Sequence, residues 1–152
     1  MSTAEAVVRG ALVVAAINGL AGIYGGVLWY LVKPGRAFWV GLRLGQGAAV
    51  AYAVGTGLLW IGGRRASDDL FYLYALLPLA IGLVAEQLRI LAAEQVLTGR
   101  GLADAQEVGE LDPAAQESIV VGILRREMGV MAAAGLVVCF LALRAAGTAS
   151  GF

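Results

Sequence analysis

Residues 70–95 read LFYLYALLPLAIGLVAEQLRILAAEQ, and the change of composition inside this stretch indicates that the chain folds in a lipid bilayer. The first sixteen residues, 70–85, carry no charge, and Glu86, Arg89 and Glu94 then follow in quick succession. A helix that crosses the hydrocarbon core of a bilayer needs about 20 mainly apolar residues. The stretch therefore predicts a transmembrane helix that leaves the hydrocarbon near Glu86 and Arg89.

Three other apolar runs of the same kind accompany this one. The chain has 152 residues, of which 60% are hydrophobic and 14% are charged. Its mean hydropathy of +0.81 is too high for a soluble domain of ordinary composition. The first run is longer than the apolar core of a cleavable signal peptide, about 7 to 15 residues, so we expect it to stay in the protein. One transmembrane domain of four helices is predicted, with spans at about 7–32, 37–62, 70–97 and 113–145.

The connections between the runs predict how the helices are arranged. Residues 33–36, KPGR, and 62–69, GGRRASDD, are short, and short connections favour antiparallel neighbours. In a bilayer only helices and closed barrels satisfy the backbone, and these runs are too long for barrel strands. The sequence therefore predicts an all-α, integral membrane four-helix bundle with up-down-up-down topology. The longer connection, 98–112, is acidic but lacks the ligand spacing of an EF-hand, which favours a solvated loop over a metal site.

Three helix ends carry recognisable capping residues. Ser67 is the expected N-cap of the third helix, because its hydroxyl can accept a hydrogen bond from a free backbone N–H group. Gly99 is the expected C-cap of the same helix. Asp112 followed by Pro113 predicts the N-cap and the first residue of the fourth helix. Helices three and four are then longer than a bilayer requires, and we predict that they project beyond it on the side of residues 33–36.

Six charged residues from three helices fall at one depth. A helix rises about 1.5 Å per residue, which places Glu86 roughly 24 Å and Arg89 roughly 28 Å from the entry of the third helix at Leu70. The same count along the second and fourth helices brings four more charges to that level. This polar layer consists of Arg43, Glu86, Arg89, Arg125, Arg126 and Glu127. Two interpretations stay open: a structural cap of paired charges, or a site for a ligand, a lipid headgroup or an ion.

Small residues on the second helix repeat with the spacing of a packing ridge. In lipid the hydrophobic effect gives helices little reason to associate, so small residues that let two backbones approach form the usual interface. The first ridge consists of Gly41, Gly45, Ala49, Ala53 and Gly57. The second ridge consists of Gly47, Ala51 and Gly55. Gly22 and Gly26 form a further pair on the first helix. These ridges predict either packing of the first helix on the second within one chain or an interface with another chain.

Two uncharged polar residues lie deep in the predicted spans. Asn18 is near the middle of the first helix and Thr56 is inside the second, and each is expected to form a hydrogen bond between helices. The chain has no histidine and one cysteine, Cys139, so one chain can assemble neither a disulfide nor the common zinc and haem ligand sets. We predict no metal and no cofactor. The formal net charge of zero gives no reason to expect a nucleic acid partner.

The sequence leaves three functional hypotheses. The leading one is a small non-enzymatic membrane protein that acts through helix association, as a homo-oligomer or as a subunit of a membrane complex. The second is a transporter or channel for a small solute or ion, with the polar layer as a charged vestibule. The third is an enzyme acting on a lipid headgroup or an isoprenoid phosphate, although no catalytic constellation accompanies the charges.

Basic residues predict the orientation in the membrane. They are more frequent on the side of residues 33–36, and the positive-inside rule makes that side cytoplasmic, together with the loop 98–112. Of eleven basic residues only Lys33 is a lysine, a bias compatible with a GC-rich bacterial genome. The expected location is therefore the inner membrane of a bacterium, with the lipid bilayer as the first partner.

Overall fold

The computed structural model describes residues 2–33 and 35–152, and the regular secondary structure of this part of the chain is entirely helical. The helices are α1 (Thr3–Leu31), α2 (Arg36–Ile61), α3 (Leu70–Gly99), α4 (Ala105–Gly109) and α5 (Pro113–Thr148). The four longer helices are each long and apolar enough to cross a membrane. The prediction of an all-helical chain with four long apolar helices is confirmed.

The helix ends follow the predicted caps in one of three cases. Asp112 accepts a hydrogen bond at Oδ1 from the backbone N–H of Ala115, at 2.7 Å, and Pro113 begins α5 as expected. The prediction for Ser67 is wrong, because its N–H and its hydroxyl both donate to the carbonyl oxygen of Ser150, at 2.8 and 3.0 Å. The residue before α3 is Asp69 instead.

The C-terminal end of α3 also differs from the expectation. The helix continues through Gly99, and the glycine with left-handed backbone is Gly101, with φ 74°. The acidic connection that follows contains the short helix α4. Asp104 caps it, since Oδ1 accepts from the N–H groups of Gln106 and Glu107 at 2.8 and 3.1 Å. The segment predicted to be a solvated loop is therefore partly helical.

Helix α5 lies between α1 and α3 and packs along both of them. Helix α2 packs mainly on α1 and makes few close approaches to α3 or α5. As a result, α1 and α5 bury about twice the share of their apolar segments that α2 and α3 bury. The separation of α2 from α3 leaves a crevice between these two helices.

The interface between α1 and α5 is built on small residues. A Cβ atom added to Gly19 would lie 2.9 Å from Sγ of Cys139, and one added to Gly135 would lie 3.1 Å from the carbonyl oxygen of Asn18. A Cβ atom on Gly22 would meet Leu136 at 2.8 Å. The contacts at Gly19 and Gly22 are shorter than real Cβ atoms make, and the contact at Gly135 is tight, so glycine at these positions lets the two backbones approach closely.

Two apolar clusters occupy opposite ends of the long helices. At one end Val7, Phe71 and Ala145 bring the start of α1, the start of α3 and the end of α5 together, and Arg64 also donates a hydrogen bond to Thr3 there. The cluster at the other end contains Phe38 and Met131, which are fully buried. Its other buried members are Leu42, Ala85, Met128 and Ala132. The charged residues of α2, α3 and α5 lie near this second cluster.

Candidate functional site

Glu86 on α3 joins charged and amide side chains from three helices. Its Oε1 atom accepts hydrogen bonds from Nη1 of Arg43 at 2.5 Å and from Nε2 of Gln46 at 3.1 Å, both on α2. Its Oε2 atom accepts from Nε of Arg89 at 3.0 Å. Nη1 of Arg89 lies 3.9 Å from Oε2 of Glu127 on α5. We call these five residues the polar cluster.

The local helix geometry explains why these residues meet. Arg43 and Gln46 are three residues apart on α2, and Glu86 and Arg89 are three apart on α3, so each pair lies on one face of its helix. The guanidinium of Arg89 also lies over the ring of Trp39, with 5.8 Å between its central carbon and the ring centroid. That contact places an aromatic face beside the cation and fixes its position.

The polar cluster is charge-balanced but not uniformly buried. It contains two arginines and two glutamates, and Gln46 adds an amide. The side chain of Glu127 is 16% exposed, whereas that of Arg43 is 53% exposed. The cluster is therefore closed at α5 and open at α2, where Arg43 is available to a molecule outside the helices.

The structure joins four of the six residues predicted for the polar layer and separates the other two from them. Arg125 lies over the ring of Trp29, at 5.5 Å, and Nη1 of Arg126 donates to Oε1 of Gln95 at 3.1 Å. Residues 125–127 are consecutive on a helix and so point in three directions, and only Glu127 faces Arg89. The sequence pattern that predicts the polar layer does not include Gln46, although the position of Gln46 three residues after Arg43 puts both on one face of α2.

A crevice between α2 and α3 begins at the polar cluster. It encloses about 250 Å³. Its sides come from α2 and α3, and α5 closes it from behind with Met131 and Val138. Val50 and Leu83 line it and are 51% and 67% exposed, so the crevice opens outward between them. Apart from its polar end and Asn18, the lining is apolar, and we call this cavity the α2–α3 crevice.

Asn18 lines the same crevice and is only 2% exposed. Its Nδ2 group donates to the carbonyl oxygens of Val14 at 2.9 Å and Gly45 at 3.1 Å. Both of these bonds come from Nδ2, and Oδ1 also lies against Gly45, because a Cβ atom added to that glycine would be 2.6 Å from it. No group in residues 2–33 or 35–152 donates a hydrogen bond to Oδ1. The predicted bond between helices therefore exists, and half of the amide remains without a partner.

Thr56 differs from this prediction. Its hydroxyl is buried and donates to the carbonyl oxygen of Ala53, at 2.9 Å, within α2 itself. A threonine in a helix can satisfy its hydroxyl by bonding back to the preceding turn, so no second helix is needed. Thr56 contributes nothing to the polar cluster.

The first ridge of α2 faces α1 along much of its length. A Cβ atom on Gly45 would lie 2.6 Å from Oδ1 of Asn18, and one on Gly41 would lie 3.6 Å from Cβ of Ala21. Ala49 and Ala53 are buried. Gly22 packs on α5 instead. The structure brings neither Gly26 nor Gly57 against a neighbour, since a Cβ atom there would meet nothing within 4 Å.

The second ridge of α2 is uncovered. Gly47, Ala51 and Gly55 are all exposed, and a Cβ atom on either glycine would meet nothing within 4 Å. The two ridges therefore have different surroundings, although the sequence pattern that predicts them is the same.

Comparisons with known proteins find no significant match to this chain. No protein-family model matches the chain, and no curated protein or solved structure is significantly similar to it. In residues 2–33 and 35–152 no group of three or more cysteine, aspartate or glutamate side chains is arranged to hold a metal ion. Any function proposed for this chain therefore rests on the geometry of its own residues.

Proposed function

We propose that this is an integral membrane protein that acts through helix association, and that two copies of the chain pair along the second ridge of α2. The observation that carries the proposal is the difference between the two ridges. The first is used inside the chain to seat α1, while Gly47, Ala51 and Gly55 face outward with open space beside them.

The uncovered ridge has the features of a helix-pairing surface. Its residues are four positions apart and cover about 12 Å of α2. Larger apolar side chains border it, including Leu44, Val54 and Leu58, which are 62%, 57% and 64% exposed. In lipid, small residues let two backbones approach, and the bordering side chains then pack against the partner helix. A second copy of α2 supplies the same surface and satisfies two-fold symmetry.

The arrangement in the membrane is part of the proposal. We infer an up-down-up-down bundle, supported by the contacts that join the start of α1, the connection 62–69 and the end of α5. At 30 and 36 residues, α3 and α5 are about 45 and 54 Å long, against about 30 Å of hydrocarbon. Both therefore extend beyond the bilayer as a hairpin, held by the bond from Arg100 to Ser118 at 3.0 Å. The basic residues favour a cytoplasmic hairpin in a bacterial inner membrane.

The test of pairing is a glycine-to-leucine substitution on the second ridge. Gly47→Leu and Gly55→Leu place a large side chain where the partner backbone would lie, so each should raise the dimer dissociation constant by about tenfold or more. The measurement is the dimer fraction in lipid bilayers as a function of protein-to-lipid ratio, by single-molecule photobleaching.

Gly26→Leu is the matched control. It makes the same chemical change on α1, at a glycine that also has nothing within 4 Å, and it should leave the dimer fraction unchanged. A wild-type protein that stays monomeric at every ratio, or a dimer that both ridge variants retain, would refute pairing along α2.

The competing hypotheses predict different results. A monomer that carries a solute into liposomes would favour transport over association if Glu86→Gln and Arg89→Gln abolish that flux. Turnover of a lipid phosphate by the purified protein would favour the enzyme hypothesis.

A further inference from the structure

We propose that the α2–α3 crevice binds a lysophospholipid, with its phosphate at Arg43, its glycerol hydroxyl at Asn18 and its single acyl chain along the apolar part of the crevice. This site is separate from the second ridge of α2, so it does not depend on whether the protein pairs.

The apolar part of the crevice fits one acyl chain. Glu86 at the polar end and Pro78 at the other end are eight residues apart on α3, which is about 12 Å. A volume of about 250 Å³ is slightly below the usual range for small-molecule pockets, about 300 to 1,000 Å³, so the crevice holds the first part of one acyl chain and the rest of that chain continues through the opening. The opening between Val50 and Leu83 faces outward from the bundle, and a lipid can enter there sideways from the bilayer.

The polar end fits a phosphate. Arg43 is half exposed, and both of its hydrogen bonds to the polar cluster come from Nη1. Its Nη2 and Nε groups donate to nothing in residues 2–33 and 35–152, and a guanidinium with two free donors binds a phosphate in a bidentate manner. The carboxylate of Glu86 opposes a phosphate at this position. Replacing Glu86 with glutamine should therefore strengthen phosphate binding.

Asn18 supplies the reason to expect a hydroxyl beside the phosphate. Its Oδ1 atom is an acceptor without a donor, in a side chain that is 2% exposed and lines the crevice. Gly45, whose carbonyl fixes the Asn18 amide, follows Arg43 by two residues, or about 3 Å along α2. The free glycerol hydroxyl of a lysophospholipid is two carbons from the phosphate ester oxygen, on the side of the acyl chain. It therefore reaches deeper than the phosphate, toward Asn18, and can donate the missing hydrogen bond.

The experiment measures binding of 1-oleoyl lysophosphatidic acid to the protein in a neutral detergent, by native mass spectrometry. Wild-type protein should bind one molecule per chain, and should bind the 2-deoxy analogue, which lacks the glycerol hydroxyl, about tenfold more weakly. Arg43→Gln should weaken both ligands, and Glu86→Gln should tighten both. Asn18→Leu should remove the preference for the hydroxyl.

Gly82→Leu blocks the crevice without requiring Asn18 or Arg43 to change. Gly82 lines the crevice, and a Cβ atom there would meet nothing within 4 Å, so the variant should fold and should lose binding of both ligands. Gly26→Leu, outside the crevice, should bind as the wild type does. Equal binding of the two ligands by wild-type protein, binding that survives Gly82→Leu, or diacyl phosphatidic acid binding as tightly as the single-chain lipid would each overturn the proposal.

Discussion

At Glu86 one carboxylate accepts hydrogen bonds from three side chains on two helices. The predicted depth of this residue comes from counting along α3, because the helical rise is fixed and the apolar run before it is uninterrupted. The choice of partners does not follow from that count. The same count places four arginines at the predicted level, and their directions depend on how each helix is rotated about its axis, so the sequence predicts a level for the charges but not which of them pair.

Replacing Glu86 with glutamine should destabilise the ligand-free protein. Glutamine lacks the charge and one of the two acceptor oxygens, so the guanidinium groups of Arg43 and Arg89 lose their shared counter-charge. We expect the free energy of unfolding to fall by about 1 to 3 kcal/mol. The measurement is unfolding by sodium dodecyl sulfate from mixed micelles, followed by circular dichroism.

Glu94→Gln is the control for this prediction, since Glu94 is exposed and lies on the same helix. It should change the unfolding free energy by less than about 0.5 kcal/mol. If Glu86→Gln has an equally small effect, the polar cluster does not contribute to the stability of the bundle.

The ends of the helices show when a local sequence pattern predicts an N-cap correctly. Asp112 caps α5 as predicted because its hydrogen-bond partner, the N–H of Ala115, is three residues away and forms as soon as the helix does. Ser67 does not cap α3 because Ser150, which is distant in sequence, takes both of its polar groups. A local pattern cannot predict a cap when the competing partner arrives through the tertiary fold.

The close approach of α1 and α5 predicts that an added methyl group at their interface lowers the free energy of unfolding. Gly19→Ala places a Cβ atom 2.9 Å from Sγ of Cys139, which forces the sulfur or the two helices to move. We expect a loss of about 1 to 3 kcal/mol in unfolding free energy, as is usual for an overpacked core. The same denaturation by sodium dodecyl sulfate measures it.

Cys139→Ala in combination with Gly19→Ala should recover much of that loss. The remaining neighbour, Cβ of residue 139, lies at 3.6 Å, which is an ordinary contact. A double-mutant cycle therefore should give a favourable coupling energy between the two positions. Strictly additive effects would mean that α1 and α5 do not approach at this point.

At the scale of the molecule, the α2–α3 crevice depends on a distance that no single helix encodes. The short connection 62–69 predicts that α2 and α3 are neighbours, and yet they make few close approaches, because α5 packs along α3 while α1 holds α2. The four long helices follow directly from the apolar runs. The spacing between two of them follows from the packing of the other two, and for this reason Gln46 and the free side of Asn18 could not be assigned a role from the sequence.

The proposed up-down-up-down topology predicts which residues share a side of the membrane. In a Cys139→Ala background, single cysteines at Ser2, Arg65 and Ser150 should react with a membrane-impermeant maleimide added to intact bacterial cells, whereas cysteines at Lys33 and Gln106 should react only after the inner membrane is permeabilised. The reason is that the first three positions lie at the end where α1 begins and α5 ends, whereas the other two lie on the side that we propose is cytoplasmic from the positive-inside rule. The Cys139→Ala parent should not label. If the two sets show the reverse accessibility, the bundle is as proposed but its orientation in the membrane is the opposite one. If Arg65→Cys and Lys33→Cys are labelled from the same side, α2 does not cross the membrane and the up-down-up-down topology is wrong.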